Sequence, residues 1–201
     1  EIVYLGNSPY GSLVVTRSSG QYNFFENGEV LFSAGKLGEV EAEEAVHYAM
    51  AQRPDARRVL VVSGGVSGTL QEVLKYDAAV DHAELDPLVV DYAELDPLVL
   101  QVAGRLLPER LSDPRIKVFN TDGRLFVRQS DRQYDVALVD VPDPSSFQIN
   151  RFYTREFFGE VKRRLVSGEE GQAPAGVLSI GLGRYENYLS PELANLIERG
   201  Y

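Results

Sequence analysis

From Gly38 onward the chain alternates short apolar runs with longer amphipathic segments, and that alternation limits the possible folds more than any other feature. "RVLVVSG" is followed by "GTLQEVLKY", "RIKVFNT" by "GRLFVRQ", "YDVALVD" by "TREFFGEVKRRLV", and "GVLSIGLG" by "SPELANLIERG". Between the first two pairs lies "DHAELDPLVVDYAELDPLVL", one phrase written twice, which runs on into "PLVLQVAGRLL". Strands that read as unbroken apolar runs are buried on both faces, as in a parallel sheet covered by helices on each side. Right-handed crossovers make such a sheet doubly wound, with ligands at the carboxyl ends of its strands. The expected fold class is α/β.

The first 35 residues read differently. "SLVVTR", "QYNFFEN" and "EVLFSA" are short, aromatic and β-branched, separated by "SSG" and by Asn27-Gly28, a hairpin turn signal. Three such strands bury too little alone, so they are expected to pack on the main domain or on a second subunit. The predicted organisation is a small β domain over residues 1–35 and a nucleoside-binding α/β domain over 36–201. Tyr10, Tyr22, Phe24 and Phe25 are candidates for the core of the first or for a subunit contact. "EVEAEEAVHYAMAQ" places Val40, Ala45, Val46 and Ala49 on one helical face, with acids in its first turns.

A formal net charge of −10 disfavours a nucleic-acid partner and suits a small cationic ligand. The absence of cysteine excludes disulfides and thiolate chemistry, and His47 and His82 stand far apart, so no metal site is expected. No apolar run approaches the roughly 20 residues that span a bilayer. The start, "EIVYLGNSPYG", has neither the basic nor the apolar region of a signal peptide. It also lacks Met, so the chain is expected to be part of a longer cytoplasmic protein, or the cytoplasmic domain of one with membrane segments.

The chemistry-bearing residues collect at predicted strand ends. In "VLVVSGGVSGTLQEVL", Gly64, Gly65 and Gly68 let the backbone approach a ligand at a helix amino terminus, although Ser63 breaks the dinucleotide-binding glycine pattern. The ribose-binding acid of such folds follows about 20 residues later. That distance points to Glu84 in the first copy of the repeat, whereas the better strand, "VVDYAELD", points to Glu94 in the second. Connection length favours Glu84, with the second copy extending the helical region around Pro97. Asp122, in Thr121-Asp122-Gly123, is either a helix N-cap or an acceptor for an exocyclic amine. Asp140 closes an apolar strand, with Asp143 three residues on in a proline-stiffened loop; a carboxylate there can orient and deprotonate an amine.

Taken in order, "SPYGSLVVTR", "QYNFFENGEVLFS", "VLVVSGGVSGTLQEVLK", "AELDP", "DPRIKVFNTDGRLFV", "YDVALVDVPDPSS", "FYTREFFGEVKRRL" and "GVLSIGLG" resemble the spermidine synthase, or polyamine aminopropyltransferase, family. The resemblance implies a Rossmann-like, methyltransferase-type sheet with a small amino-terminal β domain, here truncated at its carboxyl end. It implies aminopropyl transfer from decarboxylated S-adenosylmethionine to a polyamine, without a metal, in a homodimer. By matched position Gly64, Gly65 and Gly68 would line the nucleoside, Glu84 or Glu94 would hold the ribose, and Asp122 with Gly123 would meet adenine. Asp140 would be the catalytic aspartate, and Asp143 and Glu43 would help bind the polyamine. A tyrosine-histidine-glutamate segment of the family stands here as Glu41, Ala42 and Glu43, so nucleoside positions are better kept than amine positions. That departure leaves two alternatives: a non-catalytic nucleoside- or polyamine-binding domain, and a methyltransferase using S-adenosylmethionine.

Overall fold

The structure, a computed structural model, describes residues 1–76, 88–142, 146–168 and 175–181. Its amino-terminal part is an antiparallel sheet of β1 (Ile2–Asn7), β2 (Ser12–Ser18), β3 (Gln21–Glu26) and β4 (Glu29–Ala34), in that spatial order. The strand beyond the three expected, β1, is formed by "IVYLGN", whose small and polar end masks its alternation. Ser19-Gly20 and Asn27-Gly28 all carry positive φ, the backbone that tight hairpin turns need. Of the four aromatic candidates only Phe24 is fully buried, stacked on Phe32 with ring centroids 4.3 Å apart; Tyr10 is exposed.

This sheet has no core separate from the rest. Leu13, Val15, Phe24 and Phe32 belong to the same buried cluster as Val46, Ala49 and Met50 of α1 (Lys36–Met50). Docking onto the main body therefore provides the burial that the strands alone could not. The buried face of α1 is Ala42, Val46, Ala49 and Met50; Val40, expected inside, is 49% exposed. Gly38 permits the close start of this helix, because a Cβ there would lie 1.9 Å from the Ser33 carbonyl oxygen.

The described residues of the main body contain β5 (Arg58–Val62), β6 (Val89–Glu94), β7 (Ile116–Asn120), β8 (Val136–Val139) and β9 (Val177–Ile180). They form one sheet in the order β7-β6-β5-β8-β9, with every neighbouring pair parallel. Growth outward from β5 in both directions is the doubly wound pattern. Alternate residues of β5 serve opposite faces, as the two-residue period of a strand requires: Val59 and Val61 join the cluster facing α1, Leu60 and Val62 the other. Around the sheet lie α2 (Thr69–Leu74), α3 (Pro97–Leu106), α4 (Gly123–Gln129), α5 (Phe147–Asn150) and α6 (Arg155–Lys162).

The doubled phrase resolves against the connection-length argument. The second copy supplies β6, in register with β5 from Arg58↔Val89 to Val62↔Ala93. Pro97 then opens α3, whose cap is Asp96, accepting from the Leu98 N–H at 2.8 Å. The physical reason is the weak length dependence of loop closure: doubling a connection costs only about 0.6 kcal/mol, less than burying a poorer strand. Glu84 and the rest of the first copy lie outside the described residues, as does "SPELANLIERG". No helix among the described residues is long and apolar enough to cross a membrane.

Candidate active site

Because β5, β6, β7 and β8 are parallel, their carboxyl ends share one edge of the sheet. Ser63, Glu94, Asp122 and Asp140 all stand at or just beyond those ends. After β5 the chain turns sharply, with φ of 59° at Ser63, 64° at Gly64 and 135° at Gly68. A Cβ on Gly64 would fall 2.0 Å from Oδ2 of Asp140, and one on Gly65 would fall 2.7 Å from the Tyr92 ring. These two glycines let the turn run directly against Asp140, just past β8, and Tyr92 within β6.

Asp140 is held from two sides. Its N–H extends the sheet by donating to the Val62 carbonyl at 3.0 Å, and its Oδ2 accepts from Thr69 Oγ1 at 3.1 Å. Thr69 is the first residue of α2, and its hydroxyl also meets Ser67 Oγ at 3.2 Å. Burial pushes the Asp140 carboxyl above the usual aspartate range; the Thr69 hydroxyl partly offsets this, and the Glu41 carboxylate adds repulsion. No lysine or arginine among the described residues neutralises it.

Glu94 is buried, and among the described residues it too has no cation. Oε2 accepts from the Tyr92 hydroxyl at 2.7 Å, with Ser63 Oγ at 3.5 Å, while Oε1 accepts from the Leu95 N–H at 2.9 Å. Burial raises its carboxyl, the Tyr92 hydroxyl and the Asp96 and Leu95 N–H groups counter the shift, and Glu26 raises it further. Glu26, at the end of β3, is itself raised by burial and by Asp96. Asp96 in turn accepts from Ser8 Oγ at 2.7 Å, so the amino-terminal sheet closes against the chain just after Glu94. Asn120 ties the end of β7 to the same place, donating to the carbonyls of Glu94 and Leu95 at 2.9 and 3.0 Å.

The remaining candidates divide. Asp122 caps α4, Oδ1 accepting from the Leu125 N–H at 2.9 Å, and its Oδ2 pairs with the Arg151 guanidinium. An exocyclic amine would have to share that oxygen with Arg151. Gly123 is needed for α4 to start against β5, since a Cβ there would lie 2.3 Å from Val62 Cγ1. Glu43 is grouped with His47 and Glu72, whereas the α1 carboxylate felt by Asp140 is Glu41. Asp143 lies outside the described residues.

Thr69 and Tyr92, which orient the two uncompensated acids, escaped the reading of the sequence. Tyr92 could have been found, because residues two apart on a strand share a face and Tyr92-Ala93-Glu94 is such a pair. Thr69 follows the last glycine of the turn, but nothing local reveals that it meets a residue 71 positions away. What the edge offers chemically is two oriented, desolvated carboxylates without a counter-ion among the described residues, around a glycine turn. That arrangement suits a ligand bearing hydroxyls and positive charge.

Comparison with known proteins gives this geometry a context. Residues 39–169 match the spermine/spermidine synthase domain. The chain is 32% identical over 167 residues to a polyamine aminopropyltransferase of Leptospira interrogans, covering 82% of this chain and 32% of the relative. Polyamine aminopropyltransferase 2 of Ralstonia nicotianae is 35% identical over 169 residues, again covering 82% of this chain and 32% of the relative. A polyamine aminopropyltransferase of Clostridium perfringens is 31% identical over 170 residues, 82% of this chain and 56% of the relative. The chain thus spans about a third to a little over half of these relatives. Among solved structures, a spermidine synthase in complex with the transition-state analogue AdoDATO matches with a TM-score of 0.67 at 26% identity, covering 79% of this chain and 53% of that one. The spermidine synthase of Thermotoga maritima matches with a TM-score of 0.65 at 25% identity, covering 79% of this chain and 52% of that one. With a family domain matched across most of its length, on the same fold, this chain belongs to the spermine/spermidine synthase family.

Proposed function

We propose that the chain moves an aminopropyl group from decarboxylated S-adenosylmethionine to a polyamine acceptor. The observation that carries this reading is Asp140: a desolvated carboxylate, uncompensated by any described cation, fixed by Thr69 against the glycine turn. The neutral acceptor amine attacks the methylene carbon beside the sulfonium. A C–N bond forms as the C–S bond breaks, and the sulfur leaves as the neutral thioether methylthioadenosine. Asp140 orients the amine and takes the proton that the new ammonium releases. Because the step is a direct displacement, positioning and charge supply most of the catalysis.

Glu94 takes the ribose hydroxyls, since it ends β6 beside the turn, and Gly64, Gly65 and Gly68 border the nucleoside. Asp122 and Gly123 lie at the adenine end, and Glu41 and Asp143 extend the negative charge toward the acceptor. The working molecule is a cytoplasmic homodimer, and the β domain (1–35) and Rossmann-like domain (36–201) act as one unit in it.

Asp140→Asn is expected to abolish transfer to putrescine while sparing methylthioadenosine affinity in calorimetry; unchanged turnover overturns the assignment. Glu94→Gln should weaken methylthioadenosine binding while Glu84→Gln does not, and equal effects remove Glu94 from its role. The replacement of the tyrosine-histidine pair by Glu41 and Ala42 favours a second reading, a nucleoside-binding domain without turnover. Methylthioadenosine binding with no putrescine binding or transfer selects it.

A further inference from the structure

Away from the sheet edge, α1 and α2 bring together three side chains that the proposed reaction does not use. Glu43 and His47 stand four residues apart on α1 and so share a face. Glu72 of α2 meets them, and the three potential ligand atoms all lie within 4.8 Å of one another. Glu72 is the anchor, with a side chain only 7% exposed. His47 is oriented by a hydrogen bond of 2.7 Å between Nδ1 and the Tyr76 hydroxyl. With Nδ1 protonated and donating to Tyr76, Nε2 presents its lone pair toward Glu72, as the outer partners of metal-bound histidines arrange.

The spacing is informative. A tetrahedron with arms of about 2.0–2.1 Å, the Zn–N and Zn–O lengths, has edges near 3.3 Å. His47 Nε2 and Glu72 Oε2 are 3.3 Å apart. Glu43 is exposed and can swing in to supply a third ligand. The cation now facing Glu72 Oε2 is the Lys75 ammonium, 2.6 Å away on a side chain 57% exposed, which can withdraw into solvent.

We propose that Glu43, His47 and Glu72 bind a divalent transition-metal ion, with Zn²⁺ the best match and water as the fourth ligand. One imidazole and two carboxylates suit Zn²⁺ better than Mg²⁺, which prefers six oxygens. Such an ion would fasten α1 to α2, the helix whose first residue orients Asp140. It takes no part in the transfer chemistry.

The test uses the chelator-treated full chain, titrated with Zn²⁺ by calorimetry and with Co²⁺ by visible absorption. One ion per chain is expected, with the intense Co²⁺ bands of a tetrahedral site. Glu43→Gln should weaken Zn²⁺ by roughly tenfold or more, and His47→Gln should remove the Co²⁺ bands. Lys75→Met should tighten binding, because it deletes the competing cation. No binding at micromolar Zn²⁺, or binding unaltered by Glu43→Gln and Lys75→Met, overturns the proposal, as does loss of binding on His82→Gln. If His47→Gln fails to fold, the exposed positions 43 and 75 still decide.

Discussion

The two edges of the parallel sheet use the same residue types to opposite ends. Near the amino edge, Asp135 binds Arg53 through Oδ1 at 2.8 Å, while its Oδ2 accepts from the N–H groups of Arg57 and Arg58 at 2.8 and 2.9 Å. Asp91 in β6 accepts from Arg132 at 2.6 Å and from the Tyr134 hydroxyl at 2.8 Å. At the carboxyl edge, Glu94 and Asp140 have only hydroxyl and amide donors among the described residues, and burial raises both. An acid that the fold neutralises for itself is structural. One that the fold desolvates and leaves without a described cation is a candidate for meeting something that arrives from outside.

The largest effect separating the edges should come from Arg53→Ala. Arg53 is buried, at 3% exposure, and its removal takes the guanidinium from Asp135, leaving that carboxylate with the Arg57 and Arg58 N–H groups. Breaking a buried pair from one side costs about 3–5 kcal/mol, measurable as a lower urea midpoint with unchanged slope. A loss near zero would erase the distinction, since the amino edge would then not depend on its ion pairs.

Tyr92→Phe should cost less, about 1–3 kcal/mol, for a buried acceptor deprived of its donor. It should also weaken methylthioadenosine binding, because the Tyr92 hydroxyl is what fixes Glu94 Oε2 at 2.7 Å. Urea denaturation and calorimetry on one sample report both. Lost stability with full affinity would make Tyr92 a member of the structural set.

What the sequence made legible follows from the range of the interactions involved. The alternation of apolar runs and helices is local, and the doubly wound sheet follows from it. Asp140 was visible because a carboxylate closing a buried strand is conspicuous on its own. The expectation that the first copy of the repeat supplies the strand differs from the observed β6 because closure entropy is too shallow in length to outweigh strand quality. Pairings such as Thr69 with Asp140 or Ser8 with Asp96 join residues 71 and 88 positions apart, and no local pattern encodes them. β1 was missed for a related reason: its partner residues in β2 hold it in place as much as its own composition does.

Asp140→Asn should stabilise the protein slightly, by roughly 2 °C in melting midpoint at neutral pH, while destroying transfer. The folded state raises the Asp140 carboxyl above its ordinary 3.8, so ionisation opposes folding. That penalty is absent below 3.8 and sets in as pH rises through the folded value. The gain of the variant should therefore vanish in acid. A variant less stable than the wild type at neutral pH would mean that Asp140 is structurally satisfied after all.

The smallest effect, with the opposite pH slope, belongs to the pair that leads into β7. Arg115 donates to Asp113 at 2.9 and 2.7 Å and lowers its carboxyl to about 2. Here the folded value lies below the ordinary 3.8, so the stabilisation is present above 3.8 and lost as pH falls toward about 2. Because both side chains are partly solvated, Arg115→Ala should cost at most about 1 kcal/mol at neutral pH. Melting midpoints of this variant and the wild type should converge near pH 2, just as those of Asp140→Asn and the wild type do, but from the other side. Two acids that flank one sheet, one destabilising and one stabilising at neutral pH, would then be told apart by the sign of a single titration. A cost for Arg115→Ala that persists unchanged at pH 2 would show that its side chain acts through packing and not through Asp113.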